Sequence, residues 1–550
     1  MQTAHGNLHL EIQTTRKSPV GLLRTSFRDH GKMRHTQHGR ITGCSLEQLK
    51  LLQLAFRERV VPVDDPQAFQ ILNSREVGAS HAIVAIAKQL GLHRILYSRT
   101  EPWVNSALAM IVGRLVYAGS KLALCNHHPN TCLWEMCGID EAPDVEANCY
   151  EPMDRLLQRQ KAIQKALAGR HLRNGQVILY DITSVYFEGD YKDSDLVTFG
   201  YNRDGKKSRE QIVVGLICND QGCPVGVEVY AGNTKDETTV VDKVHEIKQC
   251  YGIAKVIFVG DRGMVTRSTI DKLKDEKDLQ TIGALTHGEM MTLLKNKVIT
   301  LDLFDERSIH EVSDPDEPTR RYCLCRNPQT AVRESQTRQR LLDLTTKTLT
   351  EIAAYKRATT VEKLGARVGK VLAKYKLGKF IQWAIEADPQ QEKSCQHRLT
   401  WSIKTEKVEH EKRFDGCYVI TSDVDKEQMK TLDVVRAYKS LTFVERAFRN
   451  LKTVQLEIRP VYHKTDDRIR SHVFLCMLAY YLQWHMEQRL APLFANDGEG
   501  KDRRWTFRGV IDCLAQITRN RVTVNGTEFD QKSIPTPEQE QILELLQVTM

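Results

Sequence analysis

The stretch Gln176-Val177-Ile178-Leu179-Tyr180-Asp181 decides the fold. An apolar run of strand length that closes on an acid reads as a strand with a carboxylate at its end. Downstream, Gln211–Asn219 and Pro224–Ala231 are two more strand-like runs, joined by the turn Asp220-Gln221-Gly222-Cys223. A helix over Thr238–Tyr251 follows, with Val240, Val241, Val244 and Ile247 at helical spacing. Then Val256-Ile257-Phe258-Val259-Gly260-Asp261 repeats the pattern of an apolar strand ending in an acid. A helix near Ser268–Lys277 and a strand over Thr281–Leu285 complete the segment. The order is three strands, helix, strand, helix, strand. The first three suit an antiparallel meander and the later ones parallel additions, so both acids fall at one sheet edge.

That order matches a ribonuclease H-like α/β core. From Asp261 to the next acid of interest, Glu445, are 184 positions, more than such a core requires. Within them Ile299–Leu303, Arg321–Cys325, Arg398–Lys404 and Cys417–Thr421 read as strands. Arg333–Arg357 and a stretch reaching Tyr375 read as helices. The expected architecture is α/β: a helical N-terminal region over 1–170, a first part of the core over 171–286, and an inserted mixed β/α subdomain over 287–432. The second part of the core covers 433–490 and a helical tail 491–550. Residues 1–40, with His5, His9, His30, His35 and His38 and no apolar period, read as a loosely ordered start or basic arm. Ser45 and Gln48 predict a capping box at the helix that follows.

At 550 residues the chain exceeds one ordinary core. Its 41% hydrophobic and 27% charged residues read as globular and soluble. The formal charge of +9 is uneven: the first 60 residues hold ten Lys/Arg against four Asp/Glu, and 436–474 hold nine against four. Local basic patches favour a polyanionic partner. Met1–Thr15 lacks the apolar core of a signal peptide, and Val473–Leu482 is too short to span a bilayer. The expectation is no membrane association, a cytoplasmic location, and free thiols among the fourteen cysteines. Cys125-Asn126-His127-His128-Pro129-Asn130-Thr131-Cys132, with Cys137 beyond, has a spacing able to hold zinc. It contains no CxxC pair, and a helix end with a turn at Pro129 accounts for it equally.

Glu445 lies in a basic helical stretch expected over Asp433–Leu451. Tyr438, Leu441, Glu445, Phe448 and Lys452 share one face at steps of three or four. Two strand-end aspartates and a helix-borne glutamate supply the hard oxygen ligands of a two-metal phosphodiester site. A lysine and a tyrosine one to two turns away suit DNA phosphates.

Together the three segments resemble the DDE transposases of bacterial insertion sequences. The nearest likeness is to the insertion-sequence four superfamily, whose signature is Tyr-(2)-Arg-(3)-Glu-(6)-Lys. Tyr438, Glu445 and Lys452 match that spacing, and Leu441 stands where the signature has arginine. Lys439, Arg446 or Arg449 are the cations nearest to replacing it. Tyr180–Gly189 resembles the first-aspartate block, Gly260–Thr266 the second, and the stretch from Leu451 to Phe474 the segment after the glutamate. The resemblance implies catalytic, metal-binding Asp181, Asp261 and Glu445, and DNA contacts by Tyr438, Lys452, Arg262 and Arg449. It implies two Mg²⁺ ions per site, with Mn²⁺ able to substitute. It also implies cut-and-paste excision and strand transfer on double-stranded DNA, at terminal inverted repeats and a target, by a homodimer in a synaptic complex. Two other classes compete: a ribonuclease H-like nuclease that cuts without joining, and an inactive transposase-derived DNA-binding protein.

Arg262 stays open between a phosphate contact and a carboxylate partner. Glu188 reads as structural or adjacent to the site rather than as a ligand. His463 and His472 read as orienting groups, since Mg²⁺ prefers oxygen. Trp383 and Trp401 read as buried rather than as platforms for an extruded base.

Overall fold

The computed structural model describes residues 8–14, 18–29, 31–58, 69–202, 205, 208–273, 276–305, 308–354, 360–387, 397–454, 456, 458–459, 461–495, 497–498, 503–524 and 527–550. The chain opens with three strands, β1 (Leu8–Gln13), β2 (Val20–Asp29) and β3 (Lys32–Ile41), and helix α1 (Leu46–Glu58). Strand β4 (Phe69–Glu76) precedes helices α2 (Gly78–Gln89), α3 (Leu92–Leu96), α4 (Pro102–Val116), α5 (Lys121–Asn126), α6 (Leu133–Met136) and α7 (Glu151–His171). Then come β5 (Val177–Tyr186), β6 (Thr198–Phe199), β7 (Glu210–Asn219), β8 (Pro224–Ala231), α8 (Asp236–His245), β9 (Val256–Val259), α9 (Arg267–Lys272), β10 (Leu279–Ala284) and α10 (His287–Lys295). After them lie β11 (His310–Asp314), β12 (Glu317–Arg326), α11 (Pro328–Ala353), α12 (Val361–Tyr375), β13 (Ile381–Ala387), β14 (His397–Ile403), α13 (Thr405–Lys412) and β15 (Cys417–Ser422). The chain closes with α14 (Thr431–Lys439), α15 (Leu441–Arg449), α16 (Asp466–Arg489), α17 (Ala491–Ala495), α18 (Phe507–Leu514), β16 (Thr518–Val524), β17 (Thr527–Lys532) and α19 (Pro537–Leu546).

The central sheet runs β11-β12-β15-β10-β9-β5-β7-β6, with β8 also paired to β7. Strands β5, β7 and β8 form the expected antiparallel meander, and β9 and β10 add parallel to β5. Nearly every residue of β5, β7, β8 and β9 is buried, which is why these strands read as continuous apolar runs. Helix α15 packs against β5 and β7, while α7 and α16 pack against β8. Buried residues of the meander, of α2–α7 and of α16 form one continuous core.

Several expectations need correction. The N-terminal region is not all helical. Its first 41 residues include a three-stranded antiparallel sheet, and Phe69–Glu76 is a strand. Strand β3 is almost wholly exposed, so backbone pairing with β2 holds it and leaves no apolar period to read. Leu10, Val20, Leu22 and Leu49 are buried between this sheet and α1, outside the main core. The Ser45–Gln48 capping box forms as expected: Ser45 N donates to Gln48 Oε1 at 2.8 Å and Gln48 N to Ser45 Oγ at 3.2 Å. Strand β4 pairs with β16, more than 440 positions later, so the C-terminal tail is not purely helical either.

The expected insertion is also not a unit apart. Strands β11, β12 and β15 extend the central sheet beyond β10. The span 328–412 has a separate core, built from α11, α12 and the β13–β14 hairpin around Leu349, Leu364, Val368 and Phe380. The expected strand Ile299–Leu303 is a short 3₁₀ turn over Leu301–Leu303. No helix among the described residues is long and apolar enough to cross a membrane.

Candidate active site

Register places the two aspartates. Parallel pairing of β5 with β9 ends at Leu179 opposite Val259. Asp181 stands two residues further along β5 and Asp261 two residues past the end of β9, and adjacent strands are spaced about 4.8 Å apart. Asp181 is not at the end of its strand, as the sequence suggested, because β5 continues to Tyr186 beside β7. It lies where the parallel partner stops, which opens that side of the strand. Asp181 Oδ1 accepts a hydrogen bond from Ile182 N at 2.8 Å. Asp261 begins a turn in which Met264 N donates to its carbonyl at 2.9 Å, and it is exposed.

The helix expected over Asp433–Leu451 is jointed. Ser440 ends α14 and begins α15, and a π-turn over Asn450–Val454 follows α15. Leu441, Val444, Ala447 and Phe448 bury one face of α15, and Glu445 is exposed on the other. Asp181, Asp261 and Glu445 line a single cleft of about 970 Å³ with Arg262, Tyr438 and Lys439. Helix α11 supplies the facing wall, including Arg333 and Arg338. Sequence reasoning missed that wall, since nothing local links Arg333 to residues 72 positions and more away in sequence.

Tyr438 Oη donates to Asp261 Oδ1 at 3.2 Å. Burial, then the neighbouring Asp261 charge, raises the phenol above its ordinary range, so it stays protonated as a donor. Arg262 sits beside the same phenol and opposes that shift. Leu441 is 7% exposed, so the position where the signature has arginine serves the core here. Lys439 is exposed and lines the cleft, whereas Arg446 pairs with Glu487 at 2.9 Å. Lys452, in the π-turn, and Arg449 are not among the residues lining the cleft. Glu188 is exposed and also outside it.

The remaining candidates fall elsewhere. His472 Nδ1 lies 3.0 Å from Lys121 Nζ, so it accepts that proton and its Nε2 donates to Ile458 O at 3.2 Å. His463 packs against it at 5.4 Å between ring centroids. Trp383 and Trp401 face each other across the β13–β14 hairpin, and Trp383 is 39% exposed rather than buried. In the segment weighed for zinc, Pro129 lies in a 3₁₀ turn and Cys125 Sγ meets Cys149 Sγ at 3.7 Å.

Three carboxylates lining one open cleft supply the oxygen donors that a hard divalent cation takes, although their oxygens do not stand within joint ligand distance of one another in this structure. Residues 173–482 match the transposase DDE domain family, and the chain belongs to that family. Membership supports a transposase, an enzyme of the nuclease and strand-transferase type, and enzymes of the family generally use divalent metal ions. No curated protein matches the chain.

Proposed function

We propose that this chain is a DNA transposase that excises an insertion element and joins it to a target by a cut-and-paste DDE mechanism. One observation carries the reading: Asp181, Asp261 and Glu445, spread over 264 positions, line one cleft. The meander with parallel additions supports a ribonuclease H-like core. Tyr438, Glu445 and Lys452 at signature spacing support the insertion-sequence four branch.

Mg²⁺, or Mn²⁺ in its place, held by Asp181, Asp261 and Glu445, would stabilise charge on the attacking and leaving oxygens. Tyr438 holds Asp261 in orientation. Arg262, Lys439 and Arg333 make the cleft attractive to a phosphate backbone. End recognition falls to the N-terminal region, where β2 and β3 expose Arg28, Lys32, Arg34 and Arg40. Two copies, each holding one transposon end, would act together on the target.

The test incubates the chain with DNA carrying the terminal repeats of its own element and with plasmid target, in Mg²⁺. Nicked ends followed by products joined through a 3′-OH support the reading. Cutting without joining leaves only a nuclease, and neither product overturns it.

A further inference from the structure

A second cluster lies outside the cleft that the carboxylates line, and none of its members enters the reading above. His171 ends α7, Cys223 closes the β7–β8 turn, and His485 lies on α16. One ligand atom from each lies within 4.8 Å of the other two. We propose that His171, Cys223 and His485 form a binding site for a transition-metal ion of the zinc class.

The donor set selects the metal. Two imidazoles and a thiol are the ligands of Zn²⁺ and its borderline-soft neighbours, and they are poor ligands for Mg²⁺. Tetrahedral bonding, with Zn–N about 2.1 Å and Zn–S about 2.3 Å, sets ligand atoms roughly 3.5 Å apart. Closing the cluster takes side-chain shifts of about 1 Å. Water fills the fourth position, since His171 and His485 are only half-buried.

Three further observations point to a ligand. His485 Nε2 is buried and has no hydrogen-bond partner among the described residues. A buried polar atom left without a partner is costly unless something binds it. Burial holds both imidazoles at about 4, so each ring is neutral at neutral pH and keeps one nitrogen lone pair open to an ion. The Tyr481 hydroxyl, 3.0 Å from His171 Nε2, fixes that ring as an outer partner does at metal sites. Cys223 is fully buried and burial pushes its thiol up, so it is a thiol until the ion arrives. Binding forms the sulfur–metal bond, breaks the S–H bond and releases one proton to solvent.

The position gives the ion a structural consequence. Gly222 has φ +84°, and a Cβ there would stand 2.6 Å from Phe443 Cβ. The turn that carries Cys223 therefore presses on α15 two residues before Glu445. An ion joining that turn to α7 and α16 would fix the seat of the helix that carries the glutamate. The site itself does not depend on the transposase reading.

The experiment loads the full, metal-stripped chain with Zn²⁺ alone and, separately, with Co²⁺ alone. The carboxylate cleft is silenced by Asp181→Asn and Glu445→Gln. The expected result is one tightly held Zn²⁺ with release of a proton, a rise in melting temperature, and a thiolate-to-Co²⁺ charge-transfer band. Cys223→Ser should lose the band, and His485→Gln should lose the bound equivalent and the rise. His171→Gln is the alternative should either variant not fold. An unchanged band in Cys223→Ser, unchanged uptake in His485→Gln, or no stoichiometric uptake by the parent chain overturns the proposal. A carboxylate site alone gives no thiolate band, so failure here leaves the proposed function standing.

Discussion

At the scale of single residues, the three acids and their neighbours differ in what their loss should do. Asp181→Asn, Asp261→Asn and Glu445→Gln preserve shape and remove a ligand charge. Each should cut strand cleavage by at least about 10³-fold, equivalent to roughly 4 kcal/mol, while end binding in a gel-shift assay persists. Wild-type nicking by any of them would remove that residue from the site. Tyr438→Phe tests a smaller effect. It deletes the hydroxyl that donates to Asp261 at 3.2 Å and leaves the ring in place. Single-turnover cleavage should fall about tenfold, the size of one hydrogen bond to a charged group, with the thermal midpoint unchanged. A direct phosphate contact would instead weaken DNA binding. The acids were legible because each closes an apolar run or sits in a basic helix. The Tyr438–Asp261 bond was not, because it joins residues 177 positions apart.

At the scale of elements, the joint at Ser440 and the π-turn at Asn450–Val454 change what the signature spacing means. A spacing of seven from Glu445 to Lys452 keeps one face only on a continuous α-helix, and the π-turn turns the chain away from that register. If Lys452 still holds a phosphate, Lys452→Ala should lower the slope of log affinity against log salt by roughly 1, equally for different sequences. An unchanged slope places the lysine outside the DNA path. The β7–β8 turn offers a second test at this scale. Gly222→Ala puts a Cβ against Phe443 at a positive φ. It should destabilise the chain by about 1–3 kcal/mol in a denaturant titration, and slow cleavage further by displacing α15.

At the scale of the whole molecule, the N-terminal sheet and the closing elements stand in different relations to the core. The buried residues of β1–β3 and α1 lie outside the main core. Strand β16 pairs with β4, and Ile517 O accepts from Val77 N at 3.0 Å and Gly78 N at 3.1 Å. Removing residues 1–58 should therefore leave the melting transition within a few degrees and abolish specific binding to the terminal repeat. Removing residues 516–550 should broaden and lower the transition, because β4 loses β16, and α2 and α16 lose α19. Acid should also act on the whole body. Burial holds His171 and His485 at about 4 and His463 at about 3, against about 6.5 in the unfolded chain. As pH falls, the unfolded state takes up protons first. Stability is full above about pH 6.5 and declines toward pH 4, which thermal melts of the metal-free chain across that range would follow as a drop of several degrees.

By itself the sequence determined the parts whose cause is local. The meander and its parallel additions could be read because β5, β7, β8 and β9 are buried on both faces and so must be apolar throughout. The helix bearing Glu445 could be read because one stripe of it is buried and the other is charged. Tertiary structure decided what depends on pairing between distant segments. Polar β3 is a strand only because β2 offers it backbone partners, and β4 only because β16 returns from the far end of the chain. Strands β11, β12 and β15 belong to the central sheet because β10 has an edge to extend. The α11 wall faces the carboxylates only because those strands carry it there. None of these leaves a periodic mark, since a backbone hydrogen bond asks for no particular side chain.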